Sequence, residues 1–240
     1  MAEKIYGRGQ VDWALWKTFA RASSNTQAAP QIFLTRIKRL LELDRKLDLS
    51  DAEQQPKADY AFAPPQSAGS GEVAYRAVDA FCLAIGLDLR DAGFKQSEIV
   101  FLMRYLRPKL QKRFPGLLKP PSLLSRGRHR AKDYPKLPSY EHHGHKWADR
   151  RLFVILQKVE LKEIIPAHLR KRHRGPVILE PIFCAGVTAL GAKLHEKMPN
   201  HRRAVTVLEL ASTAQAVQAF LKKAPDIRRG RPKAKKARDL

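Results

Sequence analysis

Between Glu72 and Leu110 apolar residues recur at intervals of three and four in two blocks separated by one glycine. Val73, Ala77, Ala80, Phe81, Ala84, Ile85 and Leu89 make the first stripe, and Ile99, Leu102, Met103, Leu106 and Leu110 the second. Such spacing brings side chains to one side only in an α-helix, so it predicts two amphipathic helices. Gly93 stands where a left-handed cap closes the first, and Ser97 and Glu98 where the second begins. Pro108 is expected to kink or end that helix, and Lys109, Lys112 and Arg113 place cations at its C-terminal end, where the helix dipole favours them. The rest of the chain has to pack around this hairpin.

On its N-terminal side the spacing predicts a helix from about residue 10 to 21, with Trp13, Trp16, Phe19 and Ala20 on its core face. A second begins at Pro30, a residue suited to the first turn, and runs to about Leu47. Its stripe is Phe33, Leu34, Ile37, Leu40, Leu41 and, unusually, Asp44. Residues 51–71, rich in Gln, Pro, Ser and Gly, read as a linker or mobile loop. After residue 114 five prolines (Pro115, Pro120, Pro121, Pro135 and Pro138) predict a long irregular connection to about Trp147.

From Asp149 the pattern changes. Leu152–Leu156 is a run of β-formers that reads as a buried strand, Pro176–Leu179 is a second strand signal, and Ala204–Leu210 is the clearest. Between the last two, Pro181 opens an apolar helix over about 182–197, and after them Ser212 caps a helix containing Ala216, Val217, Phe220 and Leu221. The expected fold is α+β: a helical N-terminal part, a basic Pro-rich connection, a small α/β C-terminal domain and a disordered basic tail. The expected boundaries are 1–50 (helical segment), 51–71 (linker), 72–114 (helical hairpin), 115–148 (connection), 149–225 (α/β) and 226–240 (tail).

The formal net charge is +23, and +18 of it follows residue 114. Charge of that size speaks to partners more than to fold, and it makes nucleic acid the first candidate and an anionic membrane surface the second. Cys82 and Cys184, the only cysteines, lie in apolar runs and read as buried free thiols of a reducing cytoplasm. No apolar run has the length of a membrane span, and the first ten residues carry no signal-peptide core, so the expectation is a cytoplasmic protein with no membrane partner, nucleoid-associated in a bacterium.

The tail holds Arg228, Arg229, Gly230, Arg231, Pro232, Lys233, Lys235 and Lys236. Its Arg229-Gly230-Arg231-Pro232 core resembles the AT-hook, a minor-groove DNA-binding motif, with Arg228 where the usual core has a proline. The resemblance implies that the chain lies along the floor of an A·T-rich groove, whose negative potential suits paired guanidiniums. A solvated basic tail that holds any polyanion is the alternative. Arg126, Arg128 and Arg130, around Gly127, repeat the Arg-Gly-Arg core in the connection and are a second candidate contact, against a plain solvated linker. Residues 72–114, joined through Gly93-Phe94 and Glu98-Ile99, are similar to a helix-turn-helix segment of MerR-type regulators. A reader of that kind would present Lys95, Gln96, Ser97 and Val100; an ordinary helical hairpin uses the same residues.

Three histidines, His142, His143 and His145, beside Glu141 are the one local group with metal-ligand chemistry, but no second pair of ligands follows at finger spacing, and no metal is assigned. Gly186 to Lys193 has Ala192 and Leu194 where a phosphate loop needs Lys and Ser/Thr, and it is placed mid-helix. No nucleophile elbow or cysteine–histidine pairing is present, so no catalytic residue and no cofactor is assigned. The expected function is a non-enzymatic DNA-binding protein, regulatory or architectural, preferring duplex DNA to RNA, with a homodimer allowed. RNA or ribonucleoprotein binding and a metal-dependent nucleic-acid-processing enzyme are the alternatives.

Overall fold

Six α-helices and seven short strands occur among the residues described by the computed structural model, namely 4–20, 28–46, 58–64, 73–125, 128–159, 177–196 and 205–226. The helices are α1 (Arg8–Phe19), α2 (Gln31–Lys46), α3 (Ala77–Asp91), α4 (Gln96–Leu117), α5 (Gly186–His195) and α6 (Ala211–Lys223). The strands are β1 (Ser139–His142), β2 (His145–Ala148), β3 (Leu152–Leu156), β4 (Lys158–Val159), β5 (Val177–Ile178), β6 (Ile182–Ala185) and β7 (Thr206–Glu209). The architecture is α+β with the helices concentrated at the N-terminus.

The α3–α4 hairpin forms the centre. Every residue of α3 from Val78 to Leu87 is buried, and Ile99, Val100, Met103, Leu106 and Leu110 of α4 are fully buried against it. Gly93 turns the chain at φ +88, a backbone angle that glycine adopts without strain. Glu98 closes the start of α4 by accepting the Lys95 N–H at 2.9 Å. Neither Pro108 nor Pro115 ends α4, which runs on to Leu117. Each proline forfeits one ladder bond, and burial of Leu110, Phe114 and Leu117, with Phe114 stacked 5.2 Å from Phe81, holds the helix through them.

On α1 the deepest side chains are Val11, Ala14 and Leu15, so the buried face is rotated from the aromatic stripe expected. Trp13, Trp16 and Phe19 pack at the rim instead, Trp13 edge-on to Phe220 of α6 and Trp16 edge-on to Phe33 of α2. Tyr6 and Tyr75 bond backbone to backbone at 2.8 and 3.0 Å, tying the start of α1 to the start of α3.

The described part of the expected linker, 58–64, is core rather than loop: Ala61, Phe62 and Ala63 are buried. Its polar backbone is satisfied by side chains, as a buried loop requires. The Asp44 carboxylate accepts the Ala61 N–H at 2.8 and 3.0 Å and the Phe62 N–H at 3.1 Å. Arg104 donates to the same carboxylate at 2.8 Å and to the Asp44 carbonyl. Arg107 donates to the Ala61 carbonyl at 3.0 Å and to the buried Asp79 carboxylate, and stacks on Tyr60. Two guanidiniums one helical turn apart thus clamp the segment, and removing one partner of such a buried pair costs about 3–5 kcal/mol.

The C-terminal part is a three-stranded antiparallel sheet in the order β6-β3-β7, with β6 and β7 flanking β3. Alternation divides β3 between two sides. Phe153 and Ile155 meet Cys184 under α5, whereas Val154 and Leu156 join the main core. Residues 182–185, expected as helix, are strand β6, and the helix begins only at Gly186, whose φ is +81. The α6 helix is capped by the Glu209 carboxylate, which accepts the Ala211 and Ser212 N–H groups at 2.8 Å each, and not by Ser212. Leu210, Ala211, Ala214, Val217 and Leu221 of this region belong to the same cluster as α1 to α4. One core therefore runs across the expected boundaries between helical and α/β parts.

Candidate nucleic-acid interface

The connection expected to lack regular structure contains the β1–β2 hairpin. Its two-residue turn is His143-Gly144, with φ +50 and +69. Positive φ at both central residues gives the twist that matches paired strands, which is why a short loop suffices. Pairing sets Tyr140 opposite Trp147 and His142 opposite His145 on one face, and Glu141 opposite Lys146 on the other.

A third stretch of chain lies along the base of β2. Arg130 bridges to Trp147, and the His129 carbonyl accepts the Ala148 N–H at 2.8 Å. This places Arg128 and Arg130 on the face that carries Trp147, with their guanidinium carbons 5.5 and 4.7 Å from its ring centre. Tyr140, opposite, is covered by Arg151 at 4.9 Å. Beside them Arg130, Ala131, Lys132 and Lys146 line an open concavity of about 570 Å³. Arg128, Arg130, Lys132 and Lys146 are all exposed, and none makes an ion pair among the described residues. Guanidiniums held beside an aromatic ring by cation–π attraction retain N–H donors suited to phosphate oxygens and base faces.

Asp149 fixes this surface to the α/β part. Only 2% exposed, its carboxylate accepts the Val187 N–H at 2.7 Å, the Arg151 N–H at 3.1 Å and two bonds from the Arg151 guanidinium at 2.7 and 3.0 Å. Burial works against its charge, but the Arg151 guanidinium and the two backbone N–H groups outweigh burial and hold the carboxyl below the usual carboxylate range. The same bond holds Arg151 above the ordinary guanidinium value. Gly186 is required beside it: a Cβ there would lie 3.1 Å from Pro138 and 3.2 Å from the Asp149 carboxylate. Thr188 of α5 also donates to the Ser139 carbonyl at 3.1 Å, so the start of β1 is anchored as well. The first two N–H groups of α5 thus meet acceptors of the chain, the Gly186 N–H the Arg151 carbonyl at 2.8 Å and the Val187 N–H the Asp149 carboxylate, so the phosphate-loop likeness of Gly186 to Lys193 is not matched by a free helix start.

Of the residues expected to bind DNA, Arg128 and Arg130 are brought together on Trp147. Arg126 and the whole hook-like group, Arg228, Arg229, Gly230, Arg231, Pro232, Lys233, Lys235 and Lys236, lie outside the described residues. Of the four positions a helix-turn-helix reader would use, Lys95 and Ser97 are exposed, Gln96 is half-buried and Val100 is fully buried in the core. His142 and His143 have ring centres 4.0 Å apart, but among the described residues no group of three or more His, Cys, Asp or Glu side chains is placed to hold a metal ion. Cys82 is buried and its thiol is pushed up to about 12, chiefly by burial, which leaves it inert. Tyr140, Trp147, Lys132, Lys146 and Asp149 belong to no motif that marks them as site residues in the sequence. The one signal for the hairpin is an alternation, Tyr140-x-His142 and His145-x-Trp147, about a two-residue turn containing glycine.

No protein-family model matches the chain, and no curated protein or solved structure is significantly similar to it.

Proposed function

We propose that the protein binds duplex DNA as a regulatory or architectural factor and catalyses no reaction. The observation that supports this best is the exposed group of Arg128, Arg130, Lys132 and Lys146 around Trp147, four cations without carboxylate partners among the described residues. Cations arranged in this way neutralise phosphates and release counterions, so affinity falls steeply with salt. The hook-like Arg229 and Arg231 add a tether with a bias toward A·T-rich minor groove, and tethering raises avidity without further interactions at the main surface.

The test is titration of a duplex over a range of salt concentrations with the wild-type chain and with Arg128→Ala/Arg130→Ala/Lys132→Ala. Each phosphate that is no longer neutralised lowers the log–log salt slope by about 0.9, so the triple variant is expected to show a slope smaller by two to three such increments. An unchanged slope would remove this surface from the proposal. Replacing Arg229 and Arg231 by alanine is expected to weaken binding to A·T-rich duplex more than to G·C-rich duplex, and a structured RNA competitor at matched salt is expected to displace less protein than duplex DNA.

A further inference from the structure

The β6-β3-β7 sheet has two edges, and they are finished differently. On the β6 edge Pro181 stands immediately before the strand, α5 follows at once from Gly186, and the Arg113 guanidinium carbon lies 4.2 Å from the Phe183 ring centre. Proline and charged side chains are the usual means by which a sheet edge is kept from pairing with another chain. Strand β7 lacks them. Residues 204–221 include no Lys, Arg or Pro, in a chain of net charge +23. The one charged residue of β7, Glu209, is turned into the cap of α6.

The ladder fixes which backbone groups of β7 look outward. The Leu210 N–H donates to the Leu152 carbonyl at 2.8 Å, and in an antiparallel pair such bonded positions recur at every second residue. Leu208 and Thr206 therefore turn their N–H and C=O groups toward Val154 and Leu156 of β3, while Val205, Val207 and Glu209 turn theirs away. The Glu209 carbonyl accepts the Thr213 hydroxyl at 3.3 Å. The Val207 N–H and C=O have no partner among the described residues. Its side chain lies opposite Ile155 on the α5 side of the sheet, but α5 packs mainly against β6, and Val207 stays 37% exposed.

An unpaired edge accepts another strand, and the chemistry of β7 selects which. Nucleic acid is not suited to a stretch without cations. Like charges set opposite each other destabilise a strand pair. An antiparallel two-fold pair centred on Val207 sets Val207 opposite its own copy and Val205 opposite the partner's Glu209, so β7 against itself opposes no two charges. Two chains of net charge +23 also repel one another least where neither presents Lys or Arg. We infer that the protein forms a homodimer through the outer edge of β7, which joins the two three-stranded sheets into one continuous sheet. Such an interface is isologous and closes on itself, so assembly stops at two copies. The inference does not depend on nucleic-acid binding.

The experiment is sedimentation of the full chain in high salt after nuclease treatment, so that nucleic acid holds no copies together. Measured from micromolar concentrations upward, wild type is expected to pass from monomer to dimer. Val207→Pro removes an N–H that β3 does not use, and edge strands tolerate proline in that orientation. Two hydrogen bonds leave the two-fold pair, one from each copy, so the dimer should weaken at least about tenfold. Val207→Lys places a cation on each side of the axis and should do the same. Circular dichroism shows that each variant is folded, and Val207→Lys carries the test if Val207→Pro does not fold. A wild type that stays monomeric at every concentration overturns the inference. So does a dimer or larger assembly that neither variant weakens, because its interface then lies elsewhere.

Discussion

Replacing Asp149 by asparagine tests whether one buried carboxylate holds the basic hairpin to the sheet. The substitution keeps size and removes charge. It takes the ionic acceptor from the Val187 N–H at the start of α5 and from a guanidinium that is 31% exposed. Losing a hydrogen bond to a charged group costs about 1.5–3 kcal/mol, and breaking a fully buried pair about 3–5 kcal/mol. Partial exposure of Arg151 and its continued stacking on Tyr140 and Phe153 reduce the second figure. The expected loss is therefore about 2–4 kcal/mol at pH 7, read from urea unfolding as a lower midpoint at unchanged slope. The pH dependence is the sharper measurement. The native carboxyl is held below the usual carboxylate range, so its contribution is complete above about pH 4, the unfolded value. As pH falls from there through the native pKa the contribution is lost, and wild type and variant should converge. A cost under about 0.5 kcal/mol at pH 7, or a difference that stays constant from pH 7 down to pH 3, would refute the reasoning.

Two further outcomes follow from the core. Gly86→Ala would place a Cβ 2.7 Å from the Phe62 ring, which is fully buried beneath it; overpacking of this kind costs about 1–3 kcal/mol, and a variant as stable as wild type in urea would show that the 58–64 segment is not held there. Asp88 is raised to about 6, by burial first and then by the neighbouring Asp91. Its ionised form is thus disfavoured in the fold, a penalty complete above pH 6 and absent below about pH 4; Asp88→Asn should stabilise by up to about 3 kcal/mol at pH 7 and not at all at pH 3.5, and equal stabilisation at both would exclude this cause.

The parts of the fold that can be read from residues alone are those in which periodicity and punctuation agree. The α3–α4 hairpin is of this kind: its stripes keep helical spacing, and Gly93 stands at the left-handed turn between the two helices. Strand β7 and helix α6 are legible for the same reason. Residues 182–185 are not, because a short continuous apolar run fits a buried strand and a buried helix equally well, and what decides is Gly186 at φ +81. Asp44 is an anomaly on the apolar stripe of α2. Its reason is tertiary: it receives the backbone of residues 61 and 62 and the Arg104 guanidinium. Of the candidate site, the clustering of arginines at 126–130 can be read, but not the ring on which two of them stack. Trp147 lies seventeen residues beyond Arg130, and the two meet only because a histidine, in place of the usual asparagine, opens a left-handed turn.

Helix α1 packs against helix α6 through Trp13 and Phe220, and Leu210 to Leu221 complete the core that α1 to α4 begin. During synthesis the first four helices are therefore made, and wait, with an apolar side uncovered until residue 221 has left the ribosome. At about 5–20 residues per second, the hundred or so residues separating α4 from the end of α6 take on the order of 5–20 seconds to add. Throughout that interval the emerging chain, already cationic, is tethered to a large RNA. Folding that depends on α6 is slow to become productive, because contacts between distant parts of the chain are the last to be made.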